Sequence, residues 1–230
     1  MDALVEFLRS VDTPTLSNAI ELLEMRPRSA GFAPLAVRCL FPELGRMAGY
    51  AVTAQVETVT QTGPGGPEGH LELYRLVQAS PKPAVVVLQE IGGFGDFAAH
   101  CGEVMATFFT RLGAVGLVSD CAVRDLPEVR ALGFHFFARG ACASHANFRI
   151  VRAGVPVTIC GLPVRPGEML HGDENGLITV PDAGLERLEQ AVAQIRQSER
   201  RIMDYARSPE FTLDGYAAMV RRSYSQAKEE

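Results

Sequence analysis

Two short stretches carry the residues best suited to chemistry. The first is Gly102-Glu103-Val104-Met105, where a glycine-rich region gives way to an apolar periodic one. Val104, Met105, Phe108 and Leu112 recur on one helical face, so the spacing predicts a helix beginning near Glu103. The opening N–H groups of a helix lack intrahelical partners and sit at the positive end of its dipole. Such groups are suited to holding a carboxylate or a phosphate. The second stretch is Asp120-Cys121-Ala122-Val123-Arg124-Asp125, directly after an apolar run over 115–119 that reads as a strand. Ligands of open α/β sheets gather beyond the carboxyl ends of strands. A carboxylate there is a hard oxygen donor for Mg²⁺ or Mn²⁺. Arg124 adds a permanent cation able to fork onto a carboxylate or a developing oxyanion. The same residues also admit a plain structural role. Asp125 before Leu-Pro-Glu is a good helix N-cap, and Asp120 with Arg124 could form an ion pair.

Other polar residues carry weaker signals. His171-Gly172-Asp173-Glu174 reads either as a polar β-turn or as a source of metal or substrate contacts. Gly92-Gly93-Phe94-Gly95 does not match the dinucleotide fingerprint, and neither Ser119 nor Ser144 lies in a GxSxG context. His145 and Asn147 read as surface, and His100 and Cys101 as wall residues beside Glu103. Lysine occurs only at positions 82 and 228, away from both stretches, which disfavours an imine mechanism.

The elements that must position these residues follow from periodicity and turn chemistry. Two short helices are expected over 2–25, with Thr13 as cap and Pro14 at the first helical position of the second. Strands are expected over 46–60, 83–89, 115–119 and 134–139, and helices over 71–78, from Glu103 to 112, and over 126–132. Loops at 61–70 and 91–96 are rich in glycine. The first is flexible enough to act as a lid. A β-rich stretch runs to 180, and Pro209 divides a charged helical tail in two. Alternating strands and helices make this an α/β protein with a partly parallel sheet. The tail's apolar stripe would serve either as a packing element or as a subunit contact.

Composition narrows the function classes. With 230 residues, 47% of them hydrophobic and 21% charged, the chain can bury a sizeable core. Its 22 basic and 27 acidic residues leave a net charge of −5, which argues against a nucleic-acid partner. Five scattered cysteines without a CxxC pair argue for a reducing compartment. With no signal-peptide pattern at the start and no apolar run of membrane-spanning length, a cytoplasmic protein without a membrane partner is expected.

The stretch GEVMATFFTRLGAVGLVSDCAVRDLPEVRALGFHFFARG resembles the signature region of the RraA-like family, which includes the 4-hydroxy-4-methyl-2-oxoglutarate/4-carboxy-4-hydroxy-2-oxoadipate aldolases. The resemblance rests on the Gly102-Glu103 pair, on Asp120-x-x-x-Arg124-Asp125 about twenty residues later, and on Val164-Arg165-Pro166-Gly167-Glu168 followed by a Gly172–Pro181 segment. It covers roughly residues 12–195. Cys121 stands where the family has glycine, and Phe134-His135 where it has Phe-Pro. Cys121 is therefore expected to narrow the pocket or alter its backbone.

The resemblance implies a layered α/β/β swivelling-domain-like fold over residues 1–195, with a helical extension over 196–230 for assembly. It further implies a divalent-metal-dependent lyase, an aldolase or decarboxylase, that releases pyruvate from a small 2-keto polycarboxylic acid. Asp125 would bind the metal (Mg²⁺ or Mn²⁺) largely through a water-filled shell, and Arg124 would contact the keto or enolate oxygen. Glu103 would orient or deprotonate a metal-bound water, and Asp120 would complete the catalytic set. The backbone N–H groups of Val104 and Met105 would hold the substrate carboxylate. The 92–95 loop would line the site. A homotrimer, or a hexamer of two trimers, with sites at subunit boundaries is implied as well. The family also contains regulators that inhibit a ribonuclease by contact, which is the alternative reading. A methyltransferase is disfavoured for want of a cofactor loop.

Overall fold

The computed structural model describes residues 2–58, 66–93 and 96–226, with side chains described as far as residue 221. In chain order the elements are α1 (Ala3–Ser10), α2 (Thr13–Leu22), β1 (Arg38–Cys39), β2 (Met47–Glu57), α3 (Glu68–Ala79), β3 (Ala84–Glu90), α4 (Glu103–Arg111) and β4 (Ala114–Ser119). Then come β5 (Ala122–Val123), α5 (Leu126–Ala131), β6 (His135–Ala138), β7 (Gly140–Ala141), β8 (Arg149–Ala153), β9 (Val157–Ile159) and β10 (Leu162–Val164). The chain closes with β11 (Met169–Asp173), β12 (Gly176–Val180), α6 (Leu185–Arg207) and α7 (Leu213–Gln226). Helix α4 starts at Glu103, where its apolar spacing placed it. The cap of α2 is one residue earlier than expected: Asp12, not Thr13, accepts the Thr15 N–H at 2.9 Å. The carboxylate of Asp12 reaches the third residue of the turn, so Thr13 becomes the first helical residue.

The main sheet runs β1-β6-β4-β3-β2-β11-β12, with β8 added beside β2. The pairs β2/β3, β3/β4 and β4/β6 are parallel, whereas β11 and β12 join antiparallel. Phe32, just ahead of β1, bridges to Ile178 of β12, so the sheet curls until its two ends nearly meet. Side-chain alternation sorts the two faces. Ala84, Val86 and Leu88 face α3, α4 and α5, packing with Leu73, Val77, Ala106, Phe109 and Val129. Val85 and Val87 face the other way, against the β9–β10 hairpin residues Val157, Ile159 and Leu162. Helices, sheet and hairpin thus form the α/β/β layers. A third cluster ties α1, α2 and α6 to β11 and β12.

Helix α6 passes residue 195 without a break. Leu188, Ala191 and Val192 are buried, whereas the helix is mostly exposed beyond Ile195. Among the described residues no helix is long and apolar enough to cross a membrane.

One feature of the sheet makes stability depend on pH. His135 on β6 is buried, and its Nδ1 has no hydrogen-bond partner among the described residues. Burial, and secondarily the charge of Arg9, pushes its pKa from 6.5 down to about 4. The unfolded chain therefore binds a proton below about pH 6.5 that the folded protein refuses until about pH 4. Stability is intact above that window and falls by about 3 kcal/mol as pH drops through it. Urea unfolding of wild type and His135→Leu from pH 7 to 4 checks this. The wild type should lose more stability on acidification than the variant, and parallel curves would exclude His135 as the cause.

Candidate active site

The segment 99–102 before α4, the first turn of α4, the turn into α5, His70 of α3 and the residues His145 and Phe148 ahead of β8 enclose a cleft of about 290 Å³. Its walls include His100, Gly102, Val104, Met105, Arg124 and Asp125. The two sequence stretches, some twenty residues apart, therefore meet in one place.

Asp125 joins them. It sits at the N-cap position of α5 in the left-handed region, with φ 57° and ψ 46°, and its side chain does not cap that helix. Aspartate tolerates this conformation better than most residues, at a cost of about 1–2 kcal/mol. The turn aims the carboxylate at α4 instead. Its Oδ2 accepts the Glu103 N–H at 2.9 Å and lies 3.6 Å from Arg124 Nε. The N-cap reading of Asp125 is thus replaced by a bridge between helices. Both side chains remain a little over one-third exposed, 37% for Arg124 and 36% for Asp125. With the Glu103 N–H taken, Val104 and Met105 offer the remaining first-turn N–H groups, and both residues line the cleft. The Glu103 side chain itself is exposed and is not among the lining residues.

Gly102 makes this closeness possible. A Cβ there would lie 2.3 Å from Asp125 Oδ2 and 3.0 Å from Arg124 Nε. Gly102→Ala should therefore displace the Arg124–Asp125 pair. We expect at least about a tenfold loss of turnover (about 1.4 kcal/mol) with only a small change in melting temperature. Steady-state kinetics beside thermal unfolding checks it, and unchanged turnover would refute the geometry.

Asp120 lies apart from this group. Its Oδ1 accepts the Glu90 N–H at 2.7 Å, it makes no ion pair with Arg124, and it is absent from the lining of the cleft. Burial pushes its carboxyl up to about 6. A short strand, β5, separates Asp120 from Arg124, so the chain has turned before the arginine is reached. Cys121 does not narrow the cleft either. It is fully buried, with Sγ 2.8 Å from the Ala98 carbonyl, and its backbone does not adopt the positive φ that would call for glycine.

The residues present fit a divalent ion of the Mg²⁺ type at Asp125. A single partly exposed carboxylate opening into a cleft is the donor set that Mg²⁺ accepts while keeping several waters. Among the described residues Asp125 belongs to no group of three His, Cys, Asp or Glu ligands.

The cleft also contains residues that sequence reasoning underrated. His100, read as wall, is part of a buried network. Its Nε2 lies 3.0 Å from Glu90 Oε2 and its Nδ1 2.8 Å from Ser119 Oγ. Burial opposes charge on both partners, yet hydrogen bonds outweigh it, raising His100 and lowering Glu90. Glu90 drew no notice in the sequence, although an acid at the end of the apolar run 83–88 is what the carboxyl-end rule asks for. His145, read as surface, lines the cleft together with His70 and Phe148. His171 has instead a structural role: it bonds Thr13 Oγ1 at 3.1 Å and the Leu8 carbonyl at 2.9 Å, tying α1 and α2 to β11. Of the two glycine-rich loops, residues 59–65 and 94–95 lie outside the described residues. Gly92 and Gly93 are not in the lining.

A family model described as RraA-like, Aldolase/RraA, matches residues 13–179. A Halalkalibacterium halodurans protein named "Putative 4-hydroxy-4-methyl-2-oxoglutarate aldolase" is 31% identical over 138 residues, 57% of this chain and 64% of that protein. A Stutzerimonas stutzeri protein of the same name is 36% identical over 95 residues, 40% of this chain and 57% of that one. The chain thus spans less than two-thirds of the length of these relatives. Among solved structures, an uncharacterized Pseudomonas syringae protein superposes with a TM-score of 0.73 at 23% identity, covering 95% of this chain and 94% of that one. Streptomyces coelicolor RraAS2, described as an unusual member of the RNase ES inhibitor RraA protein family, gives 0.66 at 22% identity, covering 90% and 98%. These two likenesses concern the fold.

Proposed function

The chain belongs to the RraA-like (Aldolase/RraA) family, and from that premise we propose that it is a divalent-metal-dependent carbon–carbon lyase. Its substrate is a small 2-keto acid bearing further carboxylates, cleaved by retro-aldol reaction or decarboxylation to release pyruvate. The observation that carries this reading is the Arg124–Asp125 pair, 3.6 Å apart, facing the open start of α4 in one cleft.

Both reactions leave a pyruvate enolate whose charge develops on the former keto oxygen. The Val104 and Met105 N–H groups bind the adjacent carboxylate and so fix where that oxygen lies. Arg124, held beside Asp125, presents its guanidinium to the developing charge. Asp125 would hold the divalent ion, which when bound would supply further electrophilic stabilisation of that charge. Glu103, exposed and next in the chain to the lining residue Val104, would orient or deprotonate a water for the proton transfer. Asp120 acts at a distance, anchoring β4 to the end of β3. Among the described residues an imine route finds no lysine at the cleft: Lys82 is bonded to the Val77 carbonyl and Ser80.

Assembly belongs to the same reading. Val104 is 69% and Phe108 52% exposed beside the cleft, and a neighbouring subunit in a homotrimer or a hexamer of two trimers would cover them. A cytoplasmic setting accords with cysteines that form no disulfide among the described residues.

The test is pyruvate release from oxaloacetate and from a branched 4-hydroxy-2-keto dicarboxylate, with Mg²⁺ or with EDTA. Turnover that needs Mg²⁺ is expected. Silence on both substrates under both conditions would overturn the lyase and favour a non-catalytic regulator that binds a protein partner.

A further inference from the structure

We propose that Glu90, His100 and Cys121 form a second metal site, for a thiophilic divalent ion of the Zn²⁺ or Fe²⁺ class, buried behind the cleft and separate from Asp125. One ligand atom from each residue lies within 4.8 Å of the other two. The three come from different segments: the end of β3, the loop before α4 and the turn after β4. His100 and Cys121 are fully buried or nearly so, and Glu90 partly. His100 borders the cleft, which provides a path for entry.

Donor chemistry selects the ion. Carboxylate, imidazole and thiolate together form a mixed O, N, S set, which Mg²⁺ and Ca²⁺ avoid and Zn²⁺ or Fe²⁺ accept. Three protein ligands and one vacant position is the arrangement of an open zinc site rather than a closed structural one. Charge also balances. Two anionic ligands and a neutral imidazole cancel a 2+ ion, so the buried site carries no net charge.

The surrounding residues hold each ligand in place. Thr58 Oγ1 donates to Glu90 Oε2 at 2.8 Å, and the Gly92 N–H donates to Oε1 at 2.7 Å. Ser119 Oγ lies 2.8 Å from His100 Nδ1 and accepts the Cys121 N–H at 2.9 Å. In the tautomer whose Nδ1–H donates to Ser119 Oγ, Nε2 turns its lone pair to the space shared with Glu90. At 3.0 Å, Nε2 and Oε2 must share a proton or a cation. The Cys121 thiol donates to the Ala98 carbonyl, with Sγ 2.8 Å from the oxygen. Binding the ion displaces the His100–Glu90 proton and the Cys121 thiol proton, and breaks the thiol's bond to Ala98. One M²⁺ thus replaces up to two H⁺.

Cobalt(II) is the probe, added to the EDTA-dialysed full chain. One equivalent is expected to give a thiolate-to-cobalt charge-transfer band in the near ultraviolet. That band should persist in excess Mg²⁺ and in Asp125→Asn, vanish in Cys121→Ser, and need at least about tenfold more cobalt in His100→Gln. No band in the wild type, or a band that survives in Cys121→Ser, would overturn the site. Should these variants fail to fold, calorimetry of Zn²⁺ binding to the wild type in two buffers of different ionisation enthalpy decides. Release of one to two protons per ion supports the site, and no release or no binding overturns it.

Discussion

Replacing Arg124 with alanine is expected to cut pyruvate release by about 10²–10³-fold, because a fixed donor aimed at a developing oxyanion contributes roughly that much. The loss should fall on kcat more than on KM. The guanidinium meets full charge only as the enolate forms, whereas the substrate carboxylate keeps its N–H groups on α4. Stability should barely change, since the Arg124 side chain is 37% exposed and its Asp125 contact is a partly solvated pair. Arg124→Lys should recover only part of the rate. Lysine restores the charge but not the planar fork. Steady-state kinetics on all three proteins, with melting temperatures alongside, checks the set. Equal turnover by wild type and Arg124→Ala would remove this residue from the site.

Phe109→Ala is expected to cost about 3–5 kcal/mol, the range for deleting a buried aromatic side chain from a packed core. For a chain of this size that corresponds to a fall in melting temperature of roughly 6–20 °C. Phe109 is completely buried on the inner face of α4. Its ring stacks on Phe134 at 6.4 Å and meets Tyr74 edge-on at 5.4 Å, so one side chain clamps α4 to α3 and to the segment entering β6. The same clamp holds the first turn of α4 against Asp125. Turnover per folded molecule should therefore fall too, and differential scanning calorimetry beside kinetics below the transition separates the two effects. A loss under about 1 kcal/mol would mean that the neighbouring rings close the gap.

Much of the scaffold was legible because its signals are local. The start of α4 at Glu103 follows from the spacing of Val104, Met105 and Phe108, and the break between α6 and α7 falls at Pro209. The strand over 84–90 is announced by an unbroken apolar run, the pattern of a strand buried on both faces. Composition supported a core large enough for one α/β body, and the stretch from Gly102 to Gly140 carried the family.

What the residues by themselves could not settle was which polar side chains face one another. Asp120 and Asp125 are five positions apart and equally plausible as acids of the site. β5 and a left-handed backbone at Asp125 send one carboxylate to Glu90 and the other to α4. Cys121 offered only an odd substitution for glycine, yet the parallel pairing of β3 with β4 brings it to Glu90 and His100. His145 became a cleft residue because the chain after β7 returns to the segment before α4, where the Ala99 N–H bonds the Ser144 carbonyl. Helix periodicity, capping and apolar runs depend on neighbours a few residues away, so the linear chain determines them. A site joins groups that are far apart in sequence, and only strand order, register and the direction of each turn bring those groups within hydrogen-bonding distance.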